Sequence, residues 1–305
     1  MKRVSVLILA GLFVVGFAAP ASAEDGKVVG DEHSVDTKYS APFNVNVEKW
    51  FAEHPVESGK MTRMETVFQT PRVLVTALAA AHEGQLLDLH YHTSADEIML
   101  VVKGQCEEYI DGKWVSMKPG DIHYNPRGVI HGGRVVGDGP FYALFIFTPP
   151  PPGGNDRRML NSDITTAKPG AIVGDWSLLD TQHKKGALFN LDEWYAKNPI
   201  EPGKTFRIDP VMGTLRGQLM IAQKPSLPVH YHGSADEIIY VYNGTGEMYI
   251  NGEWTKLNAG DIHFCPRALI HGIRPADKDK DFKIFAVFAP PQAGGNDRIF
   301  REDLK

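Results

Sequence analysis

Two stretches of the chain carry the same chemistry-bearing residues at the same spacing: HYHTSADEIMLVVKG from His90 and HYHGSADEIIYVYNG from His230. In the first, His90 and His92 stand two apart, Glu97 follows His92 after four intervening residues, and His131 closes GDIHYNPRGVIH. In the second, the equivalents are His230, His232, Glu237 and His271. Imidazole nitrogens and a carboxylate oxygen form the donor set of a transition-metal site. A lone H-x-H says little, because paired surface histidines are common. Here a carboxylate and a third histidine join the pair, twice over. The two copies differ freely nearby, at Lys103 and Asn243, Gln105 and Thr245, or Cys106 and Gly246, while all the candidate ligands match. Three imidazoles and one carboxylate already complete a tetrahedron, which leaves zinc little room for substrate. Mn(II) or Fe(II) takes six ligands and keeps two adjacent positions open, so one such ion per half is expected. Nickel, copper and cobalt are compatible with the same donors.

Such ligands must be held by elements that point them inward. Residues i and i+2 share one face of a strand, so His90 and His92 point together while Tyr91 points away. A turn over TSAD returns Glu97 beside them on the neighbouring strand, and His131 comes from a more distant one. If Glu97 faces inward, so do Met99 and Val101, and in the second copy Ile239 and Val241, giving an apolar wall. Asp111-Gly112 and Asn251-Gly252 separate β-branched and aromatic runs and read as hairpin turns. Helix is scarce. NVEKWFAEHP and NLDEWYAKNP read as one short helix each, capped by Asn46 and Asn190 and ended before Pro55 and Pro199.

The echo runs almost end to end. VVGD at Val28 returns as IVGD at Ile172, FNVNVEKWFAEHPVESGK as FNLDEWYAKNPIEPGK, YIDGKW as YINGEW, and PPGGNDR as PPQAGGNDR. The offset is 144 at Thr70 and Thr214, and 140 at His90 and His230. Many short strands with turns between them predict an all-β unit repeated once, over 28–159 and 172–305, with 160–171 as the join.

The chain begins differently. Lys2 and Arg3 precede an apolar run from Val4 to Ala19 interrupted only by Ser5, then Pro20 and Ala21-Ser22-Ala23. That is the pattern of a cleaved secretory signal peptide over 1–23, which predicts a periplasmic or secreted protein with no membrane association after cleavage. The 305 residues are 43% hydrophobic and 23% charged with a formal charge of -5, which favours neither disorder nor nucleic-acid binding. Cys106 and Cys265 fall at unrelated positions of the two copies, so no disulfide essential to the fold is expected.

Both copies resemble cupins, small β-barrels whose first motif runs G-x5-H-x-H-x3,4-E-x6-G and whose second runs G-x5-P-x-G-x2-H-x3-N. His90, His92, Glu97 and Gly104, then Gly120, Pro126, Gly128 and His131, fit those spacings; so do His230, His232, Glu237, Gly244, Gly260, Pro266 and His271. GDIHYNPRGVIH is particularly similar to the second motif of germins. The resemblance covers essentially the whole mature chain as a bicupin and implies two tandem jelly-roll barrels, each with a short N-terminal helix. Ala268 stands where the motif has Gly, which predicts an altered second turn. The leading Gly of the first motif and the closing Asn of the second are absent from both copies.

Further residues recur. Asp96 and Asp236, one before each ligand Glu, are candidates to orient the imidazoles, against the plain reading of a solvated turn aspartate. His123 and His263 are candidates for a proton relay, against a structural histidine between sheets. Arg63 with Arg207, and Arg72 with Arg216, are candidates to bind a substrate carboxylate, against a solvated strand edge. The favoured function is an exported metalloenzyme that oxidises, dioxygenates or decarboxylates a small organic acid or enolisable compound chelated to the metal. A metal-dependent lyase or isomerase and a non-enzymatic metal or small-ligand binding protein are the alternatives. Oxalate is disfavoured: oxalate decarboxylases, which are similar bicupins, carry an arginine shortly before H-x-H, where this chain has LLDL and PSLPV. A homo-oligomer is compatible with the resemblance.

Overall fold

The computed structural model describes residues 30–39, 41–160, 173–180 and 183–304. The signal segment 1–23 and nearly all of the join therefore lie outside the described residues. In the first half, β1 (Phe43–Asn46) leads into α1 (Val47–Glu53). There follow β2 (Thr62–Gln69), β3 (Leu74–Ala80), β4 (Gly84–His92), β5 (Asp96–Lys103), β6 (Gln105–Ile110), β7 (Lys113–Met117), β8 (Asp121–Asn125), β9 (His131–Val136), β10 (Phe141–Thr148) and β11 (Arg157–Met159). The second half repeats the order with β12 (Ala187–Asn190), α2 (Leu191–Lys197), β13 (Arg207–Gly213), β14 (Gln218–Gln223), β15 (Leu227–His232) and β16 (Asp236–Ile250). It ends with β17 (Glu253–Asn258), β18 (Asp261–Cys265), β19 (His271–Pro275), β20 (Phe282–Ala289) and β21 (Arg298–Phe300).

Each half curls into two antiparallel sheets. In the first, one sheet orders β12-β8-β5-β10-β3-β2 and the other β11-β4-β9-β6-β7. In the second half β16 runs without a break through both sheets, where the first half divides the same path into β5 and β6 at Gly104. Gly104 and Gly244 both have φ near +80°. A Cβ at either would lie 2.8 Å from the Pro140 carbonyl oxygen or 1.9 Å from that of Asp281, so only glycine fits this bend.

Strand alternation explains why β5 reads as a nearly continuous apolar run. Met99 and Val101 pack inside the first barrel, whereas Ile98 and Leu100 join a core shared between the halves. Ile239 and Val241 line the second barrel in the same way, and Ile238 and Tyr240 face the shared core. The inward apolar wall is therefore as read from the sequence. Asp111 and Asn251 adopt the positive φ of the hairpin turns, and the turns join β6 to β7 and β16 to β17.

The two halves also trade an edge strand. β1 pairs with β18 of the second half, with Asn44 opposite His263, and β12 pairs with β8 of the first, with Leu188 opposite His123. The helix caps secure the trade. The Asn46 carboxamide accepts from the Lys49 N–H while its amide nitrogen donates to Asp261 across the boundary at 2.7 Å. Asn190 does the same with Glu193 N–H and Asp121. The repeat boundaries thus delimit sequence copies, while each hydrogen-bonded barrel includes one strand of the other copy. Among the described residues no helix is long and apolar enough to cross a membrane.

Candidate metal centre

β4 delivers His90 and His92 at its last turn of pleat, with His90 directly opposite His131, the first residue of β9. Glu97 is the second residue of β5 and closes the group from the other sheet. The ligand-capable atoms of His90, His92, Glu97 and His131 all lie within 4.8 Å of one another, and those of His230, His232, Glu237 and His271 do the same. All eight residues are buried. Every imidazole turns Nε2 inward and anchors Nδ1 behind it. His90 Nδ1 meets the Asp88 carbonyl at 2.7 Å and His131 Nδ1 that of Val129 at 2.9 Å. His230 and His271 repeat this with Pro228 at 2.7 Å and Leu269 at 3.1 Å.

The third imidazole of each set is held by a carboxylate. His92 Nδ1 bonds Asp156 and His232 Nδ1 bonds Asp297. Asp156 precedes β11, which pairs with β4 so that Arg157 stands opposite His92. Its second oxygen accepts from Ser94 N–H, Ser94 Oγ and Ala95 N–H at 2.8, 2.7 and 3.1 Å, which fixes the turn between His92 and Glu97. Asp297 makes the same contacts with Ser234 and Ala235. Sequence reasoning missed this pair. The repeated GGNDR was visible, but nothing in it tells that the aspartate folds back over some sixty residues to an imidazole.

Several buried Nε2 atoms, those of His90, His131, His230 and His232, have no hydrogen-bond partner. A buried polar nitrogen without a partner is costly, and four aimed at two common points are satisfied together by a cation. The donor set of three imidazoles and a carboxylate fits a first-row divalent metal. Burial works against charge on Glu97 and Glu237, yet the facing imidazoles hold both carboxyls well below the usual carboxylate range. His90 and His230 are pushed well below the usual imidazole range by burial and by the neighbouring imidazoles, which leaves them neutral and ready to ligate.

Other sequence candidates go elsewhere. Asp96 and Asp236 are neither solvated nor partners of an imidazole. Asp96 is fully buried and accepts from Arg216 Nε at 2.8 Å, Arg127 N–H at 2.9 Å, and the hydroxyls of Tyr124 and Thr214. Asp236 is engaged symmetrically by Arg72, Arg267 N–H and Thr70. Arg72 also forks onto Asp36 at 2.7 and 2.8 Å, and Arg216 bonds Asp180 at 2.7 Å. Arg63 bonds Glu65 and the Pro55 carbonyl, and Arg207 bonds Asp209 and the Pro199 carbonyl, pinning the chain that leaves each helix. All four guanidinium groups are thus engaged by acids or carbonyls of the fold.

His123 and His263 face the barrel interiors, since their neighbours Ile122, Tyr124, Ile262 and Phe264 face the shared core. Burial, reinforced by His131 and His271, lowers both to about 3. They are neutral at neutral pH, so a relay that titrates near pH 7 is not what this surrounding supports. The turn expected to differ at Ala268 does not: Ala268 takes φ +68° where Gly128 has +79°, and Gly128 N–H donates to the His92 carbonyl and Ala268 N–H to the His232 carbonyl, each at 2.8 Å. Both cysteines are free and buried, and Cys265 Sγ lies 2.9 Å from His271 Nδ1.

Comparison with known proteins agrees with this architecture. The cupin domain model matches residues 78–147 and again 218–288. An uncharacterised protein of Aquifex aeolicus is 34% identical over 77 residues, which are 25% of this chain and 62% of that protein. The chain therefore spans about three fifths of that relative's length. Among solved structures, a cupin 2 conserved barrel domain protein from Leptotrichia buccalis superposes with a TM-score of 0.57 at 13% identity, covering 84% of this chain and all of the other. A salicylate 1,2-dioxygenase from Pseudaminobacter salicylatoxidans superposes with a TM-score of 0.63 at 15% identity, covering 83% and 85% of the two chains. At such identities the likeness shows the fold. Both barrels are cupin barrels, with the ligand-bearing strands inside the two matched segments. The chain is a bicupin, with one candidate metal centre in each half.

Proposed function

We propose that the protein is an exported metalloenzyme that oxidises or dioxygenates a small organic acid or enol at a metal held by His90, His92, Glu97 and His131, with a second metal held by His230, His232, Glu237 and His271. The observation that carries this is the convergence in each half of three buried Nε2 atoms, those of His90 and His230 without any hydrogen-bond partner, on a point also faced by a carboxylate. When bound, Fe(II) or Mn(II) supplies Lewis acidity and one-electron chemistry together with open coordination positions. The chain's residues do the rest. Asp156 and Asp297 fix the tautomer and aim of His92 and His232. The apolar wall of Leu78, Leu86 and Phe145 excludes water and strengthens any charge interaction inside. That a protein of the same fold is a salicylate 1,2-dioxygenase, also seen in complex with gentisate, supports dioxygenation and a hydroxylated acid as first substrates to try.

The test is dioxygen uptake by Fe(II)- or Mn(II)-loaded protein with gentisate, salicylate and a panel of small hydroxy and keto acids. Metal-dependent uptake with any of them supports the reading. Turnover that continues without dioxygen moves the protein to the lyases or isomerases, and none with any compound points to a binding protein. Export rests on the pattern over 1–23. N-terminal sequencing of native protein is expected to begin at Glu24.

A further inference from the structure

The two halves match at all eight ligands but differ at a cross-strand pair inside the barrel that carries a carboxyl in one half alone. In the first barrel Glu108 on β6 stands directly opposite Gly133 on β9. In the second, Met248 stands opposite Ile273. The two exchanges are coupled by space: a Cβ on Gly133 would lie 2.0 Å from Glu108 Oε1, so the glycine is the room in which the carboxyl sits. Met248 and Ile273 instead fill the equivalent place with hydrocarbon and belong to the second barrel's core. Glu108 is buried and borders the same small cavity as His90, Glu97 and His131. Its Oε2 lies 4.0 Å from His123 Nδ1.

Carboxyls are rarely buried in an apolar wall, because the transfer is unfavourable unless the group is used or well paired. Burial, helped by the charge of Glu97, holds Glu108 well above the usual carboxylate range in the metal-free protein, and its place in the lining of the cavity shared with His90, Glu97 and His131 is what brings its carboxyl to a bound molecule. The inner histidines are partnered differently as well. His263 meets the Asn44 carboxamide at 2.7 Å, whereas the residue opposite His123 is Leu188, and His123 is left beside Asn125 and Glu108.

We propose that the first centre is the one that receives substrate, and that Glu108 contacts it there, hydrogen-bonding an oxygen of an acid or enol whose other oxygen occupies an open metal position; the second centre holds its ion without such a contact. This deepens the function proposed above and takes its metal centres as given, but its test does not need turnover. Cobalt(II) is loaded into protein carrying His271→Ala, which leaves the first centre complete, or His131→Ala, which leaves the second. The probe is acetohydroxamate, a small chelator with two oxygen donors, followed by the visible cobalt spectrum with metal content measured in parallel.

Removing one hydrogen bond to a charged or polarised oxygen corresponds to about a tenfold loss of affinity. In the His271→Ala background, Glu108→Met with Gly133→Ile is therefore expected to weaken the chelator about tenfold at unchanged cobalt content, while Glu108→Gln, which can still donate, stays close to the parent. The second centre alone is expected to bind no better than the double variant. If the double variant folds poorly, Glu108→Leu with Gly133 kept decides the same question. Parent-like affinity in a Glu108 variant that cannot donate, or equal affinity at the two centres, overturns the proposal. Absence of dioxygen uptake alongside the tenfold difference would remove the proposed reaction and leave this contact standing.

Discussion

Asp156 and Asp297 show how much of a metal site lies outside its ligands. Each grips the Nδ1 side of one imidazole and the backbone of the turn that carries the glutamate. Asp156→Asn and Asp297→Asn are each expected to weaken metal binding in their own half by about 10- to 100-fold, measured by competition with a chromophoric chelator. The pH dependence follows from His92. Burial disfavours its charge, but the hydrogen bonds to Asp156 and Glu97 prevail and raise it to about 9 in the metal-free protein. Below that pH the imidazole carries a proton that a metal must displace, so affinity at the first centre is expected to rise with pH up to about 9 and to fall as pH drops. Proton release on metal addition, measured in weakly buffered solution, checks the sign. The ligands were legible because spacing, strand parity and repetition all agreed. Asp156 was not, because its partner lies 64 positions earlier in the chain. Glu108 was not, because only the pairing of β6 with β9 places it opposite a glycine.

At the level of elements, strands and hairpins could be read from alternation and from Asp-Gly and Asn-Gly, since these signals are local. Arg63 and Arg207 meet acids two residues away, but nothing local shows the acids that Arg72 and Arg216 reach in the other half. Arg216 reaches back 120 positions to Asp96, and Arg72 reaches forward 164 to Asp236. Each pair staples the turn before β3 or β14 to the first residue of β16 or β5. Asp96→Ala leaves a largely buried guanidinium without this partner and is expected to destabilise the protein by about 3 kcal/mol, read as a lower urea midpoint. Ala268 keeps the motif's turn by taking a left-handed conformation that L-residues avoid. Relief of that strain is partly offset by the greater freedom of glycine in the unfolded chain, so Ala268→Gly is expected to stabilise by at most about 1 kcal/mol. Thermal melting of metal-free protein reads it directly.

For the molecule as a whole, the traded strands and the shared core make the halves one folding unit. Phe68, Ile98 and Tyr124 of the first half and Leu219, Phe264 and Phe285 of the second belong to the same buried cluster. Protein cut once within the join, between residues 160 and 171, is expected to remain a single particle by sedimentation and to unfold in one transition, whereas either half expressed alone is expected to be insoluble or to self-associate. The trade also carries an evolutionary constraint. Asn44 is encoded in the first copy of the duplicated gene segment, yet its carboxamide reaches the interior histidine of the second. Neither copy can drift, be deleted or be shuffled into another chain without altering the wall around its sibling's metal, so the duplicates are heritable only as a pair.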